Sequence, residues 1–502
     1  MLSILVCHSY FLRFDPKQVE RGKPYPPLAT LQAAAILRQA GHQVALFDAM
    51  LADGTEEYDR QLLELRPQVV LLYEDNFNFL SKMCLGKMRE AACRMIASAH
   101  RAGARVIASG ADVSDAPESY LRAGADLTLK GEGLSALMEL LPRLSSEINA
   151  SGSELVRGVA GAAVLVKDSL FKVNGARVLP ASGHKGALDN PDNGLPNEIA
   201  AWDLVDMDRY RAVWQARHGY FSLNMAASRG CSFRCTWCAK PIWGNQYLQR
   251  SAASVAAEMV YLKRTFAPGH VWFADDIFGF RVDWVKEFAA AVRAAGSAIP
   301  FTIQTRADLV SERMADALSA AGCQEAWLGA ESGSQRVLDA MNKGTTVEEI
   351  ITARARLKAV GIRVGFFIQL GYLDEQLPDI LATRSLLAAA RPDDVGVSVS
   401  YPLPGTKFYE LVKEQLGGKT HWQDSNDLEM MFQGTYTSDF YRTIRDLLHD
   451  QVSSYNRASG SAADERREQH SLEDRWQELL ARESMYRTCP PPSPAAIAAA
   501  AG

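Results

Sequence analysis

The chain has 502 residues, 47% of them hydrophobic and 23% charged, and a formal net charge of −5. These values are typical of globular domains, and the length favours about three of them. Because the net charge is small and negative, we expect no broad basic surface and no nucleic-acid partner. No apolar run is long enough to span a bilayer, and the first residues lack the basic segment and cleavage site of a signal peptide. We therefore expect a cytoplasmic protein without a membrane span.

Residues 1–145 alternate short apolar strands with helices, a pattern typical of a parallel α/β sheet. The predicted strands are Ser3–Cys7, Val44–Phe47, Val69–Tyr73, Arg105–Ser109 and Leu127–Lys130. The predicted helices are Leu28–Ala40, Glu57–Leu65, Leu80–Ala102 and Ala116–Ala123. Five such strands favour a flavodoxin-like (Rossmann-like) doubly wound fold, in which ligands bind at the carboxyl ends of the strands.

Polar residues and glycines follow three of these strands. They are Tyr73, Glu74, Asp75, Ser109, Gly110, Gly131, Glu132 and Gly133. A ligand site is one interpretation of this placement, and turn formation alone is the other. No Gly-x-Gly-x-x-Gly motif follows the first strand, so the sequence does not favour a dinucleotide site.

Residues 146–215 are turn-rich and are predicted to form a linker with a small hairpin around Asp168. The alternation of strands and helices resumes over residues 216–415. The six predicted strands are Phe221–Ala226, His270–Phe273, Phe301–Thr305, Glu325–Leu328, Arg363–Gln369 and Asp394–Val399. The helices between them are predicted over Ala252–Arg264, Val282–Ala295, Ser311–Ala321, Val347–Ala359 and Leu377–Ala390. Six such units favour a partial (β/α)6 TIM-like barrel with its site at the carboxyl ends of the strands.

Residues 416–502 lose this alternation and are predicted to form a mostly helical region with a disordered tail. An apolar and aromatic patch over His421–Phe440 is either a lid packed over the barrel mouth or a wall of the substrate site. A charged amphipathic helix is predicted over Ala462–Tyr486.

Polar residues also recur at the carboxyl ends of successive barrel strands. They are Asp275, Asp276, Gln304, Arg306, Glu331, Ser332 and Gln369. Each one by itself is explained by a helix cap or a turn. Their recurrence at one edge of the barrel favours a binding site.

Three cysteines, Cys231, Cys235 and Cys238, have the spacing Cys-x3-Cys-x2-Cys. Three thiolates can bind three irons of a 4Fe–4S cluster, and because four are the usual complete set, one iron stays open to another ligand. A structural zinc site needs four nitrogen or sulfur ligands, and the next cysteine is the distant Cys323. A disulfide is disfavoured because nothing marks the chain as secreted.

The stretch Ser228–Cys238 resembles the cluster loop of radical S-adenosylmethionine (SAM) enzymes. The resemblance implies that SAM binds the open iron and is cleaved reductively to a 5′-deoxyadenosyl radical, with electrons from a donor such as flavodoxin or ferredoxin. An acidic group would then stabilise the SAM ammonium, and a guanidinium fork would suit its carboxylate. The implied SAM site consists of Trp237, Asp275, Asp276, Gln304, Arg306, Glu331, Ser332 and Gln369.

The stretches Pro26–Asp48 and Gly124–Gly133 resemble the cobalamin-binding domain that precedes many radical SAM barrels. This resemblance implies that the strand-end residues of the first domain, from Tyr73 to Gly133, bind cobalamin. One departure concerns the lower axial ligand, because the motif Asp-x-His-x-x-Gly is absent at both His8 and His42. We therefore expect the cobalt to lack that histidine ligand.

The combined resemblance implies a cobalamin-dependent radical SAM enzyme that methylates an unactivated carbon of a small-molecule metabolite through methylcobalamin. Oxidative cyclisation or ring rearrangement without methyl transfer is the alternative. A methylthiotransferase would need a second cluster, and Cys7, Cys84 and Cys93 lack the strand-end placement that we expect for one. A non-catalytic cluster or corrinoid sensor is a fourth interpretation, although no output domain is recognisable in the sequence.

Overall fold

The computed structural model describes residues 1–78, 86–173, 199–238, 246–417, 419, 428–456 and 462–488. Four predictions lie partly or wholly outside these residues: the start of helix Leu80–Ala102, the middle of the predicted linker 146–215, the first part of the aromatic patch, and the tail after residue 488. Nearly all of the other predicted strands and helices lie within a few residues of an observed element.

The first sheet contains seven strands. They are β1 Ser3–Cys7, β2 Gln43–Phe47, β3 Val69–Tyr73, β4 Arg105–Ser109, β5 Leu127–Leu129, β6 Ala162–Val166 and β7 Ser169–Lys172. Their order is β2-β1-β3-β4-β5-β6-β7, and the pairs among the first five strands are parallel. The order 2-1-3-4-5 is that of flavodoxin-like sheets, so the carboxyl ends of these strands lie along one edge.

Helices cover both faces of this sheet. They are α1 Pro16–Arg21, α2 Leu28–Gln39, α3 Thr55–Leu65, α4 Gly86–Arg101, α5 Ala111–Asp115, α6 Pro117–Arg122, α7 Leu134–Ser146 and α8 Gly152–Leu155. The core on one face includes α2 and α7, and a separate core on the other face includes α3 and α4. The strands are therefore buried on both faces, which explains their nearly continuous apolar sequences.

The hairpin β6–β7 lies in a different place from the one that we expected. The sequence placed it in a linker, but β6 pairs antiparallel with β5 and extends the first sheet. Its two turn residues, Lys167 and Asp168, have φ angles of 48° and 62°, as a type I′ turn requires. Sequence patterning identified the hairpin but not its neighbour, because the pairing of β5 with β6 is a tertiary contact.

The second half of the chain contains a six-stranded sheet and a two-stranded ribbon. The strands are β8 Ser222–Met225, β9 Ser228–Gly230, β10 Tyr247–Gln249, β11 His270–Phe273, β12 Phe301–Thr305, β13 Cys323–Glu331, β14 Arg363–Leu370 and β15 Asp394–Val399. The six-stranded order is β15-β14-β13-β12-β11-β8, with every pair parallel, whereas β9 and β10 form the antiparallel ribbon. Sequential parallel strands joined by helices are the arrangement of an open, partial barrel.

Helices follow the barrel strands and continue into the C-terminal region. They are α9 Met207–His218, α10 Ala252–Phe266, α11 Val282–Ala294, α12 Glu312–Ala321, α13 Gln335–Ala340, α14 Val347–Ala359, α15 Leu377–Ala390, α16 Lys407–Val412, α17 Ser438–Asn456 and α18 Ala462–Ala481. Helix α17 packs against the edge strand β15 and against α18, so it covers an edge that would otherwise be open. None of the helices in the described parts of the chain combines the length and the apolar content needed to cross a membrane.

The two sheets share one hydrophobic core. Residues of α2 and β1 belong to the same buried cluster as residues of the barrel strands and of α17. Hydrogen bonds reinforce this packing: Trp214 Nε1 donates to Pro24 O at 2.6 Å, and Asn224 Nδ2 donates to Pro26 O at 3.0 Å. The relative position of the sheets is therefore set by packing as well as by the chain connection.

An aromatic stack lies on one face of the barrel sheet. The ring of Trp327 on β13 stacks on Phe367 of β14, with centroids 4.8 Å apart. Gly365 makes room for the stack, because a Cβ atom there would lie 2.5 Å from the Trp327 ring. Gly396 on β15 lies beside the same two rings. Gly365 and Gly396 thus leave space for the rings of Trp327 and Phe367.

Hydrogen-bonding side chains cross the amino ends of the barrel strands. His270 Nδ1 lies 2.9 Å from Ser222 Oγ, and His270 Nε2 lies 2.9 Å from Thr302 Oγ1. Tyr25, in the first half of the polypeptide, extends this series of hydrogen bonds, with its hydroxyl 3.2 Å from Ser222 Oγ. Burial, with the charge of Lys23 as a smaller cause, lowers the pKa of His270 to about 4.

Replacing Gly365 by Ala will destabilise the protein, because the added methyl group overlaps the Trp327 ring. Overpacking of this kind costs about 1–3 kcal/mol, and we expect it to lower the midpoint of urea unfolding. Gly269→Ala is the matched control, since the nearest atoms would lie 3.8 Å from its new methyl group. Equal midpoints for the two variants would contradict the close packing at Gly365.

Acidification will lower the free energy of unfolding through protonation of His270. The folded pKa of about 4 lies below the ordinary value of 6.5, so the unfolded chain binds more protons between these pH values. The contribution of neutral His270 to the free energy of unfolding is complete above about pH 6.5 and is lost as the pH falls through about 4. We expect His270→Gln to flatten the pH dependence of the urea midpoint in this window. The same change at His470, which is 82% exposed, should leave that dependence as in the wild type.

Candidate active site

The three cysteines lie in a loop that begins immediately after β9. Gly230, the last residue of β9, has a φ angle of 72°, which favours glycine where the chain turns into the loop. Cys231 is buried, whereas Cys235 and Cys238 are partly exposed. The loop therefore leaves two of its three thiols within reach of a ligand.

Hydrogen bonds from two other segments hold this loop. Thr236 N donates to Met341 O at 2.9 Å, and Asn342 Nδ2 donates to Arg234 O at 2.8 Å. On the other side, Phe408 N donates to Thr236 O at 3.0 Å. The residues from Cys231 to Cys238 form no helix or strand, so these tertiary contacts position the cysteines.

The thiols of this loop fit a cluster better than a single metal ion. Within the residues that the structure describes, no three His, Cys, Asp or Glu side chains converge closely enough to hold one ion. In a 4Fe–4S cluster each thiolate binds a different iron, so the thiolates need not converge on one point. Outside the motif the sequence has no cysteine between Cys93 and Cys323. The donor set therefore fits a cluster in which one iron takes a ligand from elsewhere.

Asp275 holds the segment that leads into the cluster loop. Its carboxylate is fully buried and accepts hydrogen bonds from Ala227 N at 3.0 Å and from the Ser228 hydroxyl. Burial raises the pKa of Asp275 to about 7, although the hydrogen bonds act in the opposite direction. The adjacent Asp276 is partly exposed. Of the two acidic residues predicted near the SAM ammonium, Asp276 is the one that a ligand can reach.

The Arg306 guanidinium lies between the cluster loop and the barrel. Its Nε and Nη2 bond to the Asp308 carboxylate at 2.9 and 3.0 Å, and Nη2 also donates to Lys343 O at 2.7 Å. Its Cζ lies 3.6 Å from the centroid of the Phe233 ring, and Nη1 lies 3.9 Å from Cys235 Sγ. Arg306 thus brings positive charge next to Cys235, one of the three predicted cluster ligands. A SAM carboxylate would have to share the guanidinium fork with Asp308.

Glu331 and Ser332 lie at the carboxyl end of β13. Glu331 has a φ angle of 62°, a left-handed conformation that is uncommon for residues other than glycine. Its carboxylate pairs with Lys343 Nζ at 2.7 Å, and both side chains are buried. Lys343 Nζ in turn lies 6.0 Å from the centroid of the Trp237 ring. Ser332 Oγ is buried and accepts a hydrogen bond from Ser334 N at 3.1 Å.

Two polar atoms among the predicted SAM-binding residues are buried without a hydrogen-bond partner in the described structure: Gln369 Oε1 and Trp237 Nε1. Such atoms are rare in folded proteins, and a ligand that is not present is one physical reason for them. Gln304, at the carboxyl end of β12, is partly exposed. These three side chains can therefore bind a ligand without breaking a hydrogen bond that the structure records for them.

The end of β3 is tied to three neighbouring segments of the first sheet. Tyr73 OH donates to Glu132 O at 2.6 Å, in the loop after β5. Glu74 accepts a hydrogen bond from the Ser9 hydroxyl at 2.6 Å, and burial raises the pKa of this carboxyl. Asp75 accepts from a backbone amide of α2 at 3.0 Å. The predicted strand-end residues are therefore neighbours in space.

The loops after β4 and β5 complete this edge. Ser109 Oγ donates to Glu132 O at 3.3 Å, and Gly110 follows directly on Ser109. Gly131 and Gly133 both have φ angles of 76°, where a side chain would be strained. A Cβ atom on Gly133 would also overlap the Ser109 hydroxyl. The glycines thus permit close approach of backbone at the edge.

Two residues that the sequence analysis assigned to neither site also lie at this edge. Asn76 follows Asp75, is 1% exposed, and has no partner for either side-chain amide atom among the described residues. Arg229, in the strand before the cluster loop, forms a buried ion pair with Glu132. Asn76 follows the end of β3, so the same strand-end argument could have assigned it to the predicted site in the first domain. No sequence pattern pairs Arg229 with Glu132, because they are far apart in the chain.

Most of the barrel matches the sequence model of a known protein family. A family model described as the radical SAM superfamily matches residues 225–387, from the end of β8 into α15. The chain contains a radical SAM domain. The resemblance inferred from the cysteine motif is therefore confirmed, and the matched residues include the whole cluster loop.

Methyltransferases are among the relatives of this chain. An uncharacterized methyltransferase of Pyrococcus horikoshii is 26% identical over 395 residues, which are 78% of this chain and 79% of that protein. The cytidylyl-2-hydroxyethylphosphonate methyltransferase of Streptomyces wedmorensis is 23% identical over 436 residues, 77% of each chain. Both similarities extend beyond the barrel, since each covers more than three quarters of this chain.

A solved structure shares the fold of both halves. The radical SAM methyltransferase TsrM from Kitasatospora setae, with tryptophan and the SAM analogue aza-SAM bound, has a TM-score of 0.64 at 18% identity. The likeness covers 83% of this chain and 76% of that chain. Another structure of TsrM contains cobalamin and a [4Fe–4S] cluster. At this identity the likeness shows a shared fold.

Removing any one motif cysteine will prevent assembly of a stable cluster. We expect Cys231→Ala, Cys235→Ala and Cys238→Ala to lose most of the iron and the visible absorbance after anaerobic reconstitution, because each thiolate is predicted to bind its own iron. Cys93→Ala is the control, since Cys93 lies outside the motif and its thiol makes a long contact, 3.9 Å, with Ser119 O. Wild-type iron content in a motif variant would contradict the assignment of that cysteine as a ligand.

Proposed function

We propose that this protein is a cobalamin-dependent radical SAM enzyme that methylates an unactivated carbon of a small molecule. The observation that carries the proposal is a direct contact between the two halves of the chain: Arg229, in the strand before the cluster loop, pairs with Glu132 at the carboxyl edge of the first sheet. The radical SAM match and the shared fold with a cobalamin-containing methyltransferase support the same conclusion.

Cys231, Cys235 and Cys238 are proposed to hold the 4Fe–4S cluster, with the open iron taken by SAM. When bound, the cluster and SAM supply a radical that removes hydrogen from carbon, and cobalamin supplies the methyl group. Residues of the chain orient these groups: Asp276 is accessible to the SAM ammonium, and Gln369 has an acceptor atom without a partner among the described residues.

Cobalamin is proposed to bind the edge formed by the loops after β3, β4 and β5. Asn76 supplies a buried amide without a recorded partner, and Gly131 and Gly133 allow the backbone to come close to a ligand. His8 Nε2 lies 3.0 Å from both Asp48 Oδ1 and Ala49 N. That nitrogen is engaged within the protein, whereas His8 Nδ1 is buried without a partner among the described residues. The proposal that the cobalt has no lower histidine ligand therefore rests on the absence of the Asp-x-His-x-x-Gly motif.

The proposed chemistry has consequences for partners and location. Reductive cleavage of SAM requires single electrons, so we propose a protein donor such as flavodoxin or ferredoxin. A reducing cytoplasm would suit an oxygen-sensitive cluster, and no disulfide joins any of the described cysteines. The substrate is proposed to be a small molecule that enters at the carboxyl ends of the barrel strands.

The test is anaerobic reconstitution followed by incubation with hydroxocobalamin, a strong reductant and SAM deuterated in its methyl group. A small-molecule extract of the source organism provides the candidate substrates. We expect about four irons per chain, a corrinoid spectrum that stays with the protein through gel filtration, 5′-deoxyadenosine, and a product that carries deuterium on carbon.

The control for this experiment is Cys235→Ala, which should yield neither 5′-deoxyadenosine nor labelled product. A deuterium-free product formed together with 5′-deoxyadenosine would contradict methyl transfer and favour cyclisation or rearrangement. About eight irons per chain would favour a methylthiotransferase with a second cluster.

A further inference from the structure

One buried ion pair joins the barrel half to the first sheet between the two proposed cofactor edges. The Arg229 guanidinium pairs with the Glu132 carboxylate and also donates to Gln32 Oε1 on α2. Its Cζ lies 5.8 Å from the centroid of the Phe77 ring. The side chains of Arg229 and Glu132 are 6% and 5% exposed, so water has little access to the pair.

Arg229 is connected closely to the cluster loop. It lies in β9, opposite Leu248 of β10, and Cys231 follows two residues later. The preceding residue, Ser228, donates its hydroxyl to the buried Asp275. The strand is thus held on both sides of Arg229, and a shift of the guanidinium moves the start of the cluster loop.

Glu132 is connected as closely to the first-sheet edge. Its carbonyl oxygen accepts hydrogen bonds from Tyr73 OH at 2.6 Å and from Ser109 Oγ at 3.3 Å. It lies between Gly131 and Gly133, whose left-handed φ angles define the turn. A ligand that displaces this edge would therefore displace Glu132 and, through the ion pair, Arg229.

We propose that Arg229 is a positioning residue that couples cobalamin binding at the first-sheet edge to the geometry of the cluster loop. The inference rests on the proposed function, because cobalamin is taken to bind that edge. A buried charge strongly disfavours separation from its partner, so the pair transmits a displacement instead of breaking. Coupling between two sites is reciprocal, so if cobalamin tightens SAM binding, SAM must tighten cobalamin binding by the same factor.

The test uses the full reconstituted chain and two spectroscopic titrations. Cobalamin binding is followed by visible absorbance, and SAM binding by the EPR spectrum of the reduced cluster, with and without hydroxocobalamin. In the wild type we expect cobalamin to lower the SAM dissociation constant by about fivefold or more, the usual lower range of allosteric coupling. In Glu132→Gln the coupling should fall below about twofold while the iron content is retained.

Two further variants separate positioning from simple structural support. Arg229→Lys keeps the charge but loses the planar fork, so its coupling should lie between those of Glu132→Gln and the wild type. Asp203→Asn is the matched control: it breaks the pair between Arg38 of α2 and Asp203, whose side chains are 36% and 60% exposed. The coupling in this control should equal that of the wild type.

The outcomes distinguish the inference from the function on which it rests. Wild-type coupling in both Glu132→Gln and Arg229→Lys would overturn the inference, and so would loss of the cluster from both variants, since Arg229 would then be only structural. Binding of both ligands to the wild type without coupling would also overturn it. Failure of the wild type to bind cobalamin would instead overturn the proposed function.

Discussion

The hydrophobic core shared by the two sheets determines which of their edges face each other. Helix α2 packs in the same buried cluster as the barrel strands, so the carboxyl edge of the first sheet meets the segment that carries the cluster loop. Neither half holds all of the proposed cofactor ligands. The shared core is therefore the constraint on which a two-cofactor site depends, because cofactors in separate, freely moving domains would not keep a fixed distance.

Buried charges at this junction and inside the barrel are paired, and the pairing restricts how the site can be arranged. Arg229 pairs with Glu132, and Lys343 pairs with Glu331, each largely out of contact with water. Removing one partner from such a pair leaves a buried charge without compensation, so the pairs select one arrangement even where they add little net stability. Asp275 is held in a related way, by the amide and hydroxyl that lead into the cluster loop.

Sequence patterning identified most of the fold because the strands are short apolar runs that end at polar residues or glycine. Strands β1, β3, β4, β11, β12 and β15 have the predicted bounds. The prediction ended strand β13 at Leu328, because the glycine and alanine that follow have low strand propensity. The observed strand extends to Glu331, with a register shift in its pairing near Gly329. The predicted site residues were found by their place at strand ends, and that same argument applies to Asn76.

The sequence by itself determined the predicted cluster ligands, the α/β fold class and the two edges at which the cofactors are proposed to bind. These are local or periodic properties: three thiols in one short loop, and the alternation of strand and helix. Only the tertiary structure decided that Arg229 meets Glu132, that Asp275 is buried while Asp276 is accessible, and that the hairpin β6–β7 extends the first sheet. These features depend on which surfaces pack together, and packing joins residues whose separation in the chain carries no pattern.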